Sequence, residues 1–117
     1  MSVQEREAVL LLHGLWMNRH VMRYLEVALR RAGFAPQALG YRSMRGALAE
    51  HCERLAHCIA ALASPRVHLI GHSMGGVIAL AFLARHAADP PLRPRLGRAL
   101  LLGAPVAGSD AGTRSRA

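Results

Sequence analysis

The chain has 117 residues and a formal charge of +8, with 52% hydrophobic but only 4% aromatic residues. This length is typical of one domain, and the composition indicates a globular protein with an aliphatic core. No apolar stretch approaches the roughly 20 residues of a membrane-spanning helix, and the charged amino terminus is unlike a signal peptide, so we expect a cytoplasmic protein without an integral membrane segment.

The basic residues do not follow the pattern of a nucleic-acid-binding protein. All 15 of them are arginines, and they are spread along the chain without a long basic run. A nucleic-acid-binding domain usually concentrates its positive charge on one motif or tail, and no such motif is present. We therefore expect no nucleic-acid partner.

The first half of the chain alternates between strand and helix patterns. Residues 8–12 form a continuous apolar run, which is typical of a strand buried on both faces of a parallel sheet. An amphipathic helix is predicted from the N-cap Asn18 to about Ala32, with Val21 on its apolar side. Residues 34–41 form a weaker strand, which Pro36 places near a sheet edge.

The second half continues the alternation. Ser43 opens a predicted helix that ends at Ser64-Pro65 and has Cys52 on its apolar side. The later elements are a strand over residues 67–70, a helix over 75–88, a loop over 89–97 and a strand over 99–102. This order predicts an α/β fold, a mostly parallel sheet with helices on both faces. Ligand sites of such sheets lie at the carboxyl edge.

The segment directly after the third strand has the pattern of a catalytic turn. Residues 71–76 read Gly-His-Ser-Met-Gly-Gly. Gly-x-Ser-x-Gly between a strand and a helix is typical of the nucleophile elbow of serine hydrolases. The turn is too tight for a Cβ atom at Gly71 or Gly75, and it presents the Ser73 hydroxyl above the sheet edge. The helix that follows directs its positive dipole end toward a developing oxyanion.

A second motif follows the first strand, where residues 13–16 read His-Gly-Leu-Trp. A glycine here lets the chain cross the sheet edge and present a backbone N–H toward the nucleophile. An oxyanion hole needs two such donors, and this segment is the expected source of the second one. The alternative is an ordinary strand-to-helix turn with a surface histidine.

These motifs together resemble the core of an α/β-hydrolase, closest to the lipase and esterase branch. The resemblance covers residues 8–110, and the loop over residues 102–109 also resembles the segment after the next strand of that branch. It implies that Ser73 is the nucleophile and that the N–H groups of Leu15 and Met74 form the oxyanion hole. It assigns elbow and motif support to His13, Gly14, Gly71, His72 and Gly75.

The chain departs from the family pattern after the nucleophile. In this family the acid and then the general-base histidine follow the serine. Here Ser73 is followed only by Asp89, Asp110 and His86. His86 ends the helix that leaves the site, roughly 15–20 Å away, so it cannot be the base. Asp110 lies past the fourth strand on the correct edge and is the candidate acid, whereas Asp89 reads as a turn residue.

The expected function is hydrolysis of carboxylic esters, including lipid or acyl esters, by an acyl-enzyme mechanism without a cofactor. The alternative is a truncated, non-catalytic acyl- or lipid-binding protein of the same fold. We expect residues 1–117 to form one α/β-hydrolase domain that lacks its C-terminal strands, and an uncovered strand edge that favours self-association. No metal site is expected, because the other histidines read as surface or strand-facing residues: His20, His51, His57 and His68.

Overall fold

The computed structural model describes residues 6–13, 19–40, 48–86 and 88–102. Strands and helices alternate along these residues, as the sequence predicts. In chain order they are β1 (Ala8–His13), α1 (Arg19–Arg31), β2 (Ala35–Gly40), α2 (Leu48–Ala61), β3 (Val67–His72), α3 (Met74–His86) and β4 (Leu96–Leu102). A short 3₁₀ turn, Arg93–Arg95, precedes β4.

The strands form one parallel sheet in the order β2-β1-β3-β4. The two apolar strands β1 and β3 are therefore central. Strand β2 lies at an edge, as the proline at position 36 predicts, because proline has no N–H group for a further ladder. Since all strands run in the same direction, His13, His72 and Leu102 lie together at the carboxyl edge.

The hydrophobic core lies between one face of the sheet and helices α2 and α3. Seven of its side chains are fully shielded from solvent: Leu10, Cys52, Leu55, Ile59, Ile78, Ala79 and Phe82. Helix α1 packs on the opposite face, where Leu29 borders the same groove as Val9 and Ile70. The expected arrangement of helices on both faces is therefore confirmed, as is the burial of Cys52.

Two expectations about exposure are wrong. Val21, expected on the apolar side of α1, is 48% exposed, because it lies on the flank of a helix in which no residue is fully buried. His51, expected at the surface, is buried. It lies one helical turn before Leu55 on α2, and positions four residues apart share a helix face.

Arg95 joins the start of β4 to the end of α2. Its guanidinium donates hydrogen bonds to the carbonyl oxygens of Ile59 at 2.8 Å, Leu62 at 2.6 Å and Ser64 at 2.8 Å. Ile59 lies in the last turn of α2, and Leu62 and Ser64 follow its end, where carbonyl groups lack helical partners, so the arginine fork supplies donors to them. The charge also opposes the negative end of the helix dipole.

Hydrogen bonds near the amino edge of the sheet connect β4 and β3 to Glu7, the residue before β1. The Arg98 backbone N–H donates to Nδ1 of His68 at 2.8 Å, and His68 Nε2 lies 2.7 Å from Oε1 of Glu7. Because Nδ1 accepts a hydrogen bond, the proton belongs on Nε2, which donates to the Glu7 carboxylate. A side chain at Gly97 would overlap this imidazole.

Candidate active site

Ser73 lies between β3 and α3 in a backbone conformation that L residues rarely adopt. Its φ is +57°, and no other non-glycine residue of the described part of the chain has a positive φ. A serine in this region costs about 1–3 kcal/mol and persists only where surrounding contacts enforce it. The expected strained turn at Ser73 is therefore present.

The two glycines of the elbow are required by close backbone contacts. A Cβ atom on Gly71 would lie 2.6 Å from the Cα atom of Gly76, and one on Gly75 would overlap the carbonyl group of Leu12. No ordinary Cβ atom approaches another atom that closely. The start of α3 therefore packs directly against the backbone of β1 and against Gly71. These close contacts form the tight turn that the Gly-x-Ser-x-Gly spacing predicts.

Backbone hydrogen bonds fix Ser73 from both sides. Its N–H donates to the carbonyl oxygen of Leu102 at 3.0 Å, and its carbonyl oxygen accepts from the N–H of Gly76 at 2.9 Å. The first N–H groups of a helix lack partners within the helix, and Met74 is the first residue of α3. The amino end of α3 thus combines a strained serine with the positive end of the helix dipole, an arrangement suited to stabilising an anion.

The two motif histidines pack near the carboxyl edge. The imidazole of His13 covers Gly40 of β2, since a Cβ atom at Gly40 would lie 3.1 Å from Cε1 of His13. His72 pairs with Leu102 across the sheet, and its Nδ1 atom is buried with no hydrogen-bond partner among the described residues. Their assigned role in supporting the motif stays a prediction.

Three of the expected site residues lie outside the described residues. These are Gly14 and Leu15 of the second motif and Asp110 after β4. The second oxyanion donor and the acid therefore stay predictions. His13, Gly71, His72, Ser73, Met74 and Gly75 are described, and they converge on the carboxyl ends of β1 and β3.

Neither Cys52 nor His86 is placed to act as a nucleophile or base beside Ser73. Burial raises the pKa of the Cys52 thiol, with a smaller opposing effect of the Arg85 charge, so this cysteine is not an activated nucleophile. His86 is the last residue of α3, at the opposite end of the helix from Ser73. Its imidazole stacks on Phe82 and lies 3.4 Å from a carboxylate oxygen of Asp89. These contacts hold it at the far end of α3, where it does not reach the serine.

Sequence reasoning missed two residues that shape the elbow. Leu12 provides the backbone surface against which Gly75 packs, and Leu102 accepts the hydrogen bond from Ser73. Both act through backbone atoms, so their side-chain identity carries no signal. One feature of the sequence could have indicated them. Each is the last apolar residue of its strand and is followed within two residues by a glycine.

Two further properties concern only the described residues. They contain no group of three histidine, cysteine or acidic side chains close enough to bind a metal ion together. None of their helices has both the length and the apolar character needed to cross a membrane.

A groove of about 690 Å³ lies on the α1 side of the sheet. It is bordered at the amino edge by Glu7 and Arg66, and it therefore lies away from Ser73.

Comparison with known proteins places this geometry in context. The sequence profile of the alpha/beta hydrolase family matches residues 9–117. An esterase from Exiguobacterium antarcticum superposes with a TM-score of 0.70 at 24% identity, over 87% of this chain and 39% of that one. A structure from a study of carboxylesterases of Nitrososphaera gargenis gives a TM-score of 0.71 at 18% identity, over 97% and 44% of the respective chains. No curated protein sequence matches. At these identities the likeness shows a shared fold, and this chain spans less than half of either structure.

Proposed function

This chain belongs to the alpha/beta hydrolase family, and on that premise we propose that it is a serine hydrolase of carboxylic esters. The observation that carries the proposal is the conformation of Ser73, which has a φ of +57° directly before the first residue of α3. A strained serine at the carboxyl end of a central parallel strand fits a nucleophile and has no evident structural use. The proposed substrates are small-molecule esters, including acyl or lipid esters.

The proposed mechanism follows from the position of each group. The Ser73 hydroxyl oxygen attacks the ester carbonyl carbon, and the carbonyl oxygen becomes an oxyanion that accepts hydrogen bonds from the N–H groups of Met74 and Leu15. Collapse of this intermediate expels the alcohol and leaves an acyl group on Ser73. Water then releases the acid and restores the serine, without a cofactor.

The proton of Ser73 requires a base, and the resemblance assigns the two histidines at the same sheet edge, His13 and His72, to motif support instead. His86 is the one histidine that follows Ser73 in the sequence, and it lies at the far end of α3. Asp110 stays the candidate acid. We propose that these 117 residues form the amino-terminal part of a hydrolase domain whose base is supplied from outside them.

The second candidate function is a non-catalytic acyl- or lipid-binding protein of the same fold. The observation that favours it is the position of His86, which leaves Ser73 without a histidine from the residues that follow it. Such a protein would keep the apolar surroundings of the elbow and bind an acyl chain without cleaving an ester.

A fluorophosphonate probe distinguishes the two functions. Covalent bonding of the probe, with loss of fluoride, needs an activated serine hydroxyl, so the protein is tested with the base-supplying residues present. We expect mass spectrometry to place the adduct on Ser73 and the Ser73→Ala variant to lose it. The Ser64→Ala variant removes another serine hydroxyl of the described region and should retain labelling. A folded protein that is not labelled but binds a fatty acid would favour the binding function.

A further inference from the structure

Helix α1 directs a basic face away from the sheet. Its apolar residues Met22, Leu25 and Leu29 are partly buried, and the helix packs against β2. Four arginines of the helix are exposed: Arg19, Arg23, Arg30 and Arg31. Tyr24 is 72% exposed beside them, although aromatic residues are rare in this chain.

The positive charge of this face is not neutralised within the described residues. None of the four guanidinium groups has a carboxylate at ion-pair distance there. The single acidic residue of α1 is Glu26, which lines the same pocket as Arg19 and Arg23 and offsets one of the four positive charges. The whole chain carries a formal charge of +8, so nearby charges do not reverse the sign of the field.

The helical spacing arranges these side chains in two adjacent rows. At 100° per residue, Arg19, Arg23 and Arg30 fall on one row, and Tyr24 and Arg31 fall on the next. The 13 residues of α1 extend for about 18 Å at 1.5 Å per residue. The face is therefore a broad basic surface along α1 with the Tyr24 ring on one side, midway along the helix, and we call it the α1 strip.

We propose that the α1 strip docks this protein on an anionic phospholipid surface. Guanidinium groups bind phosphate and carboxylate headgroups through several donors at once. A tyrosine ring is suited to the headgroup region, where its ring contacts acyl chains and its hydroxyl contacts water. A phosphate backbone would satisfy the arginines but offers no comparable environment for Tyr24, which is 72% exposed. The lipid surface is therefore favoured over a nucleic acid.

The apolar side of α1 packs on the sheet, and this determines how the helix can contact a membrane. Because Met22, Leu25 and Leu29 face the sheet, α1 cannot insert its apolar side into the bilayer as an interfacial helix does. Attachment is electrostatic and peripheral, and it weakens as salt screens the surface potential. Each arginine near such a surface contributes about a five-fold increase in affinity. The proposal does not depend on ester hydrolysis by Ser73.

Co-sedimentation of the full chain with vesicles tests the proposal. We expect binding to phosphatidylcholine vesicles that contain phosphatidylserine, weak binding to pure phosphatidylcholine, and loss of binding at high salt. The double variant Arg23→Gln/Arg30→Gln should lose affinity by about 25-fold. The matched control Arg85→Gln/Arg93→Gln removes two exposed charges from positions outside α1 and should change affinity by less than about five-fold.

A variant of the aromatic residue tests the lipid contact separately from charge. Tyr24→Ser should lower vesicle affinity, whereas Tyr24→Trp should preserve it, since both substitutions leave the charge unchanged. Circular dichroism should show all variants to be folded. Equal binding to neutral vesicles, equal loss in the control pair, or tighter binding to duplex DNA than to anionic vesicles would each overturn the proposal.

Discussion

The N–H group of Ser73 donates a 3.0 Å hydrogen bond to the carbonyl oxygen of Leu102, the last residue of β4. This bond connects the candidate nucleophile to a strand that begins more than twenty residues later in the sequence. On the other side, Gly75 packs against Leu12 of β1. The strained turn is thus fixed by two strands besides its own, which is how a conformation that costs about 1–3 kcal/mol is maintained.

The packing of Gly75 against Leu12 predicts that even alanine is destabilising at this position. In an open helix position, glycine to alanine stabilises by about 1 kcal/mol. Here the new Cβ atom would overlap the Leu12 carbonyl group, so Gly75→Ala should destabilise the fold by about 1–3 kcal/mol or more. Urea unfolding measures the difference.

Gly33 provides the matched control for that substitution. It has a φ of +98° and nothing near the position of a Cβ atom. Gly33→Asn should therefore be better tolerated, because asparagine adopts positive φ more readily than other L residues. A Gly75→Ala protein as stable as the parent, with unchanged probe labelling of Ser73, would show that the elbow is not formed as described.

Turnover of simple esters by these 117 residues should be poor, because His86 is far from Ser73. An oxyanion hole alone can still accelerate a reaction ~10³–10⁴-fold over water, so a weak rate is expected to survive Ser73→Ala. The measurement is release of nitrophenol from a nitrophenyl ester. Robust activity that is abolished both by Ser73→Ala and by replacement of one of the chain's own histidines would contradict this expectation.

Although Arg95 is partly exposed, we expect it to contribute strongly to the stability of the fold. Arg95→Lys keeps the charge but loses the planar fork that reaches Ile59, Leu62 and Ser64. We expect a loss of about 1.5–3 kcal/mol in the free energy of unfolding. Arg93→Lys, on an exposed neighbour, should leave stability within about 0.5 kcal/mol. Equal effects of the two substitutions would argue against the clamp.

Strand β4 should promote self-association, since among the described strands it pairs only with β3 and Leu100 is 54% exposed beside the groove. The expected result is an apparent mass that rises with concentration in light scattering. Leu100→Lys places a charge on the strand and should reduce the rise. Leu80→Lys, at a leucine on α3 that is 41% exposed, should not. A strictly monomeric parent chain would rule out this association.

The order of elements and the position of the elbow could be predicted because each depends on local pattern. Apolar runs marked β1 and β3, and the glycine spacing around Ser73 marked the turn. The strand limits were less accurate, because pairing extends β3 through Gly71 and His72 and starts β4 at Leu96. Polar or small residues pair with a neighbouring strand through their backbone atoms, and a hydropathy pattern does not reveal this pairing.

The contacts between distant segments could not be predicted. The pairs Glu7–His68 and Arg95–Leu62 join residues far apart in sequence, and each residue alone reads as an ordinary polar position. Only the completed sheet brings them together. The same limit applies to Leu102, whose side chain carries no sign of the hydrogen bond that its carbonyl oxygen accepts.

The dependence of Ser73 on β1 and β4 makes its chemical reactivity a measure of tertiary structure. A peptide of residues 71–76 would contain an ordinary serine, because the contacts with Leu12 and Leu102 would be absent. Probe labelling should therefore vanish in one step with global unfolding rather than fade as the helix frays. Mutations at the ends of β1 and β4 should consequently lower probe labelling of Ser73 by relaxing its backbone conformation.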